Sequence, residues 1–110
     1  MTKAIIFIFV LLLIQQINAG SFTLYQDAGQ RGQAREMQCS DYNCHDIGAG
    51  FNDKVSSINT HGGCVALFED GNCKGRRVIL KPGCELGECC KHDNFKSCGF
   101  NDKASSYACC

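Results

Sequence analysis

The sequence contains a single proline and, beyond its first twenty residues, no long apolar run. Pro82 lies in a Pro82-Gly83 turn after a strand-like segment, where its missing N–H costs no ladder hydrogen bond. No segment after residue 20 keeps an apolar period of 3.6 residues, so amphipathic helices are not expected. Because no second apolar segment follows the first, a membrane span is not expected either.

Charge and catalytic motifs are equally sparse. Basic and acidic residues number 11 each, and the only basic cluster, Lys74–Arg77, is more simply a solvated hairpin than a nucleic-acid footprint. No Gly-x-Ser-x-Gly, His-Glu-x-x-His or phosphate-loop motif is present. The three histidines lack metal-ligand spacing, and Glu85 and Glu88 lie on a loop between cysteines, where solvation accounts for them. We therefore expect neither an enzyme nor a nucleic-acid-binding protein.

The first 19 residues have the pattern of a secretory signal peptide. Lys3 gives a positive start, and Ala4–Ile14 is an apolar run shorter than the roughly 20 residues that a membrane-spanning helix needs. Ala19 is a small residue suited to cleavage. Residues 1–19 are thus predicted to be removed and residues 20–110 to form one domain, secreted and extracellular.

All ten cysteines lie after the predicted cleavage point, a density that is typical of a small disulfide-stabilised scaffold. An exported chain meets an oxidising compartment, so these thiols are predicted to form disulfides rather than metal or catalytic sites. Their connectivity does not follow from the sequence. The cysteines are Cys39, Cys44, Cys64, Cys73, Cys84, Cys89, Cys90, Cys98, Cys109 and Cys110.

The rest of the sequence consists of two similar copies. The heptads FNDKVSS (Phe51–Ser57) and FNDKASS (Phe100–Ser106) differ at one position, and a Cys-x4-Cys segment precedes each. Further upstream, FTLYQDAGQRGQARE (Phe22–Glu36) is similar to VALFEDGNCKGRRVI (Val65–Ile79). The second copy is longer, and Cys90–Gly99 holds most of its extra residues. The two motifs span about residues 21–62 and 63–110.

Each copy predicts short strands. Phe22–Tyr25 and Val65–Phe68 are rich in aromatic and aliphatic residues, and each leads through an Asp/Gly/Asn turn into a second strand. Two copies of about four strands give an eight-stranded, two-sheet, all-β domain with Greek-key connections.

These motifs resemble the βγ-crystallin domain family. The family pattern has an aromatic residue, a glycine seven places later, and then an [N/D]-[N/D]-x-x-[S/T]-S signature, all of it duplicated. Both signatures match at every defined position, as Asn52–Ser57 and Asn101–Ser106, and the resemblance covers Phe22–Tyr107. It implies an eight-stranded βγ-crystallin-like sandwich of two Greek-key motifs, here disulfide-stapled.

The sequence also departs from that family. The aromatic residue usual two places before the hairpin glycine is replaced by Gln30 and Cys73, which weakens local hairpin packing unless a disulfide at Cys73 compensates. Tryptophan is absent, although lens members commonly bury several, and the cysteine density is foreign to lens proteins. The chain is thus similar to an exported relative rather than to a lens protein.

The heptads carry side chains that suit calcium. Asn, Asp and Ser side chains and loop carbonyls are hard oxygen donors, and Ca²⁺ takes 6–8 of them. The same residues also build turns by bonding their own backbone, so a structural role is the alternative. One heptad has too few oxygen donors to bind Ca²⁺ alone. The residues of the hairpin turns are the available candidates for the remaining ligands.

The resemblance implies that the signature of one copy meets the hairpin of the other. Site one would then combine Asn52, Asp53, the Lys54 carbonyl and Ser56 with Glu69 or Asp70. Site two would combine Asn101, Asp102, the Lys103 carbonyl and Ser105 with Gln26 or Asp27. Few carboxylates and a lysine beside each site favour weak affinity, roughly 10⁻⁴–10⁻³ M as in other extracellular modules.

Two functions fit the sequence. The first is a secreted calcium-binding βγ-crystallin-like module with a structural or extracellular binding role. The alternative is a secreted defence protein (antimicrobial, toxin-like or protease-inhibitory) on the same scaffold, with Cys90–Gly99 as its recognition surface. The balanced charge argues modestly against a cationic membrane-disrupting agent.

Overall fold

Two equivalent apolar strands of the repeat form the centres of two β-sheets. The computed structural model describes residues 20–84 and 87–110, and the predicted signal peptide lies outside them. The strands are β1 (Ser21–Asp27), β2 (Arg31–Gln38), β3 (His45–Asp46), β4 (Ser57–Asn59), β5 (Val65–Asp70), β6 (Lys74–Leu80) and β7 (Ser106–Cys109). Short 3-10 segments occur at Gly71–Cys73 and Phe95–Cys98. In the described residues, no helix is long and apolar enough to span a membrane.

The sheet order is that of interlocked Greek keys. One sheet has the order β2-β1-β4 and the other β3-β7-β5-β6, so β3 of the first motif pairs in the sheet of the second. Alternation along β1 buries Phe22 and Leu24, as a half-buried antiparallel strand requires. The predicted all-β, two-sheet fold class is confirmed.

The expected eighth strand is replaced by an irregular segment from the insertion. The described part of the chain holds seven strands. Beside β4, the Ile58 N–H donates to the His92 carbonyl at 2.8 Å, and the Gly29 N–H donates to the Asp93 carbonyl at 2.7 Å. The insertion therefore occupies the strand position at this sheet edge and supplies its hydrogen bonds without strand geometry.

The insertion is also part of the hydrophobic core. Phe95 is completely buried and packs edge-on against Phe100, with ring centroids 6.3 Å apart. Arg76 donates to the carbonyls of Cys98 and Gly99, and Arg77 forms an ion pair of 2.7 Å with Glu88. The basic cluster Lys74–Arg77 is thus partly engaged in tertiary contacts and is not simply solvated.

Every cysteine is in a disulfide. The pairs are Cys39–Cys109, Cys44–Cys73, Cys64–Cys110, Cys84–Cys89 and Cys90–Cys98. The first two join one motif to the other, and the remaining three lie within the second motif. Cys90–Cys98 closes the insertion on itself.

Buried serines hold the two hairpin turns. The completely buried hydroxyl of Ser57 donates to the Asp27 carbonyl at 2.6 Å and accepts the Gln30 N–H at 3.0 Å. Ser106 makes the same pair of bonds with Asp70 and Cys73, at 2.5 and 2.9 Å. The last serine of each heptad therefore fixes the turn of its own copy.

Candidate metal sites

The two heptads lie side by side and bond to each other reciprocally. The Asp53 N–H donates to the Ala104 carbonyl at 2.9 Å, and the Asp102 N–H donates to the Val55 carbonyl at 3.0 Å. Asp53 and Asp102 have φ angles of 58° and 59°, in the left-handed region that Asn and Asp tolerate better than most residues. This conformation is the local reason for an acidic residue at the second place of each signature.

The first serines of the two heptads are exchanged between the sites. The Ser56 hydroxyl donates to the Asp102 carboxylate at 3.2 Å, and the Ser105 hydroxyl donates to the Asp53 carboxylate at 3.0 Å. The sequence-based grouping instead placed Ser56 with Asp53 and Ser105 with Asp102. The structure therefore differs from that grouping in the position of both serines.

The exchange follows from the path of the chain. The Ser56 N–H donates to the Tyr25 carbonyl at 2.9 Å, and the Ser105 N–H donates to the Phe68 carbonyl at 2.8 Å. Each serine thus stays beside the hairpin of its own copy, while the aspartate of the other copy crosses to meet it. Site one accordingly contains Asp53 and Ser105, and site two contains Asp102 and Ser56.

Site one is an open depression of about 530 Å³. Glu69 and Asp70 line it together with Asn52 and Asp53, so the acids expected from the second hairpin border the same depression as the first heptad. The Asn52 side-chain amide donates to Asp53 at 3.4 Å, which leaves the amide oxygen of Asn52 available.

A lysine reaches the rim of site one. The Lys103 ammonium lies 3.5 Å from a Glu69 carboxylate oxygen. The side chain of Lys103 is 51% exposed, so the ion pair is solvent-screened and of little strength. A cation that draws on Glu69 would compete with Lys103. Lys54, the corresponding residue of the first heptad, is likewise exposed.

Site two has fewer negative charges. Gln26 takes the place of Glu69, and its side-chain amide donates to the Gly50 carbonyl at 3.0 Å. Asp27 lies over its own turn, as Asp70 does in the other hairpin: a Cβ on Gly32 would lie 2.5 Å from an Asp27 carboxylate oxygen, and a Cβ on Gly75 would lie 2.5 Å from an Asp70 carboxylate oxygen. Asn101 is half-buried beside Asp102 in the chain.

Asp46 is a further acid of site one that sequence reasoning missed. It lines the same depression, and its carboxylate accepts the Asn72 N–H at 3.2 Å. Asp46 belongs to neither hairpin nor heptad, so no repeated spacing points to it. Only the crossing of β3 into the second sheet places it there.

The donor chemistry fits calcium better than zinc. Among residues 20–84 and 87–110, no three His, Cys, Asp or Glu side chains come together in a geometry that could hold a metal. A cation at these sites would need serine, amide and backbone oxygens beside the aspartate, and hard oxygens select Ca²⁺. The cysteines are engaged in disulfides.

Two of the three histidines, His45 and His61, have structural partners. His45 donates to Asp41 at 2.8 Å, and this hydrogen bond lowers the pKa of the Asp41 carboxyl, with help from the Asn43 N–H. The ring of His61 lies 3.1 Å from the hydroxyls of both Ser21 and Thr23.

Comparison with known proteins agrees with this architecture. Residues 21–109 match the family model described as Beta/Gamma crystallin. No curated protein gives a significant match. Among solved structures, a beta gamma crystallin from Ciona intestinalis is 30% identical, with 83% of this chain and 100% of that chain covered and a TM-score of 0.65.

Two more distant structures share the fold. A betagamma-crystallin from an archaeon is 24% identical, covers 84% of this chain and 100% of that chain, and has a TM-score of 0.65. A betagamma-crystallin domain from Clostridium beijerinckii is 17% identical, covers 81% and 95%, and has a TM-score of 0.60.

Proposed function

The chain belongs to the beta/gamma crystallin family, and on that basis we propose that it is a secreted, calcium-binding extracellular module without enzymatic activity. The observation that carries the proposal is the reciprocal pairing of Ser105 with Asp53 and of Ser56 with Asp102. Each pair brings a hydroxyl and a carboxylate from different motifs to within hydrogen-bond distance.

The hydroxyl-to-carboxylate bonds are the contacts that a cation would replace. In site one, Asp53, Ser105 and Glu69 supply oxygens, and Asn52, Asp70 and the Lys54 carbonyl can complete the shell. In site two, Asp102 and Ser56 are joined by Gln26 or Asp27, Asn101 and the Lys103 carbonyl. Weak binding, roughly 10⁻⁴–10⁻³ M, is supported at site one by carboxylates that do not converge in the described residues and by the Lys103 ammonium beside Glu69. At site two it is supported by the scarcity of carboxylates.

Calcium at these sites would act mainly on stability. Each site draws on both motifs, so a bound ion would link the two Greek keys. A ligand that binds only the folded state stabilises it by about 1.4 kcal/mol when its concentration is about ten times the dissociation constant. Extracellular calcium is plentiful enough for weak sites of this kind to fill.

Secretion is supported by the cysteine chemistry. Disulfides persist in oxidising compartments and are rare in reducing ones. Two of the five disulfides connect the motifs, so an oxidising compartment would let covalent links form between the two halves of the fold.

The insertion gives little support to the alternative defence role. A recognition loop would expose its distinctive side chains, but Phe95 is buried and the Phe95 N–H donates to the Ser56 carbonyl at 3.0 Å. Lys91 and Lys96 are the exposed basic residues that remain for an inhibitory surface.

Isothermal calorimetry and thermal melting with calcium test the proposed function on the oxidised protein. We expect binding in the range of roughly 10⁻⁴–10⁻³ M and a rise in Tm, both lost in the Ser56→Arg/Ser105→Arg variant. Magnesium at the same concentration is the control and should raise Tm less, since it demands a smaller octahedral site. Absence of both heat and thermal shift in the wild type would refute the proposal.

A further inference from the structure

The Cys44–Cys73 disulfide lies against site one. Cys44 directly precedes β3, and Cys73 ends the 3-10 segment Gly71–Cys73 that follows Glu69 and Asp70. The two Cα atoms are 5.9 Å apart. The disulfide therefore fastens the acidic turn of the second motif to a strand that comes from the first.

A hydrogen bond continues the attachment into the site. The Asp46 carboxylate accepts the Asn72 N–H at 3.2 Å, and a Cβ on Gly71 would lie 3.6 Å from the same carboxylate oxygen. Asp46 and Asp70 both line the site-one depression. The position of the Asp46 carboxylate is thus coupled to the turn that the disulfide fastens.

Site two has the same turn without a covalent link. Gln30 corresponds to Cys73, because both have φ near 57° and both donate their N–H to the buried serine of their own heptad. The Gln30 side chain donates to the Ile58 carbonyl at 2.9 Å. At this position the first motif therefore has a hydrogen bond, whereas the second motif has a disulfide.

The other end of the link is also missing in site two. Ile47 and Phe95 correspond to each other, since each is buried and each donates its N–H at 3.0 Å to the carbonyl of a metal-site serine. Counting back from this pair, the counterpart of Cys44 is His92. The two sites therefore form an internal comparison, one with the covalent link and one without it.

We propose that the Cys44–Cys73 disulfide positions the acidic turn of site one and raises its affinity for calcium, while it leaves site two unaffected. This inference rests on the proposed calcium binding. The affinity of oxygen-ligand sites depends on rigidity as well as on charge. A turn that is already held in place loses less conformational freedom when it binds an ion.

The test compares two variants that each lack one disulfide. Cys44→Ser/Cys73→Ser removes the link at site one. Cys64→Ser/Cys110→Ser removes a disulfide that joins the two ends of the second motif and lines a different depression. Calcium titrations are followed by amide NMR shifts in Glu69–Asn72 for site one and in Gln26–Gly29 for site two.

We expect the Cys44→Ser/Cys73→Ser variant to lose about tenfold in affinity at site one, the scale at which groups supporting a metal ligand act. Site two should bind as in the wild type, which also shows that the variant is folded. The Cys64→Ser/Cys110→Ser variant should keep both affinities.

The outcomes separate the inference from the proposed function. If the wild type shows no calcium-dependent shifts at either turn, the proposed function fails. If the wild type binds but the Cys44→Ser/Cys73→Ser variant keeps its site-one affinity, the role of the disulfide is overturned. An equal loss of calcium affinity at both sites of the Cys44→Ser/Cys73→Ser variant also overturns the role of the disulfide. So does an equal loss of affinity at site one in the Cys64→Ser/Cys110→Ser control.

Discussion

The Ser105 hydroxyl donates a 3.0 Å hydrogen bond to the carboxylate of Asp53, a residue from the other copy of the repeated heptad. Ser56 and Asp102 repeat the arrangement at 3.2 Å. The heptads are therefore joined as a pair, and each candidate site draws on both of them.

Single substitutions should reveal this exchange. Asp53→Asn and Ser105→Ala should both weaken site one, and the aspartate change should cost about tenfold in affinity because ligand charge sets affinity. Asp102→Asn and Ser56→Ala should both weaken site two. Amide shifts in the two hairpin turns would assign each loss, and an effect of Ser56→Ala at the Glu69 turn would contradict the exchange.

The charge difference between the sites gives a reciprocal pair of variants. Glu69→Gln should lower calcium affinity at site one, because it removes a carboxylate that already attracts the Lys103 ammonium. Gln26→Glu should raise affinity at site two by adding a carboxylate at the corresponding place. Calorimetry on both variants checks the pair. The changes in calcium affinity of the two variants must have opposite signs. A fall in affinity for both would show that geometry outweighs charge.

The insertion should prove important for stability. Phe95→Ala removes a completely buried ring that packs on Phe100, and it should cost about 3–5 kcal/mol of unfolding free energy. Lys96→Ala is the matched control on the same loop, where an exposed side chain should change stability by less than about 0.5 kcal/mol. Urea unfolding of the oxidised variants measures both. Similar losses of unfolding free energy in the two variants would show that Phe95 does not stabilise the protein as a core residue.

Stability should fall at alkaline pH because of Tyr107. Burial raises the pKa of the Tyr107 hydroxyl above its ordinary value of 10.0, and the negative charge of Asp41 adds to the rise. The unfolded chain then loses this proton at lower pH than the folded protein, so stability is full below about pH 10 and declines as pH rises through the folded pKa. Thermal melting of the wild type and Tyr107→Phe across this range is the measurement. The variant should show the shallower decline, and parallel declines would exclude Tyr107 as the cause.

The repeated parts of the chain were predictable. Apolar strands, hairpin turns and heptads recur in register, so their burial and pairing follow from period and symmetry. Glu69 and Asp70 were also expected beside the first heptad, and they line the same depression as Asp53.

Details that depend on the direction of the chain after each motif were not predictable. Ser56 belongs to site two because β4 begins at Ser57 and runs beside β1. Identical Cys-x4-Cys spacing has two outcomes: Cys84 pairs with Cys89, whereas Cys39 and Cys44 pair with distant partners. The spacing of cysteines along the chain does not determine which strands become neighbours.

The connection between the motifs runs through His61, Gly62 and Gly63, all exposed to solvent. A protease that cut this connection would leave a nicked, two-chain molecule rather than two fragments. Cys39–Cys109 and Cys44–Cys73 each join a residue before the cut to one after it. Both candidate sites would keep their residues from each chain, because these two disulfides would hold the two chains together.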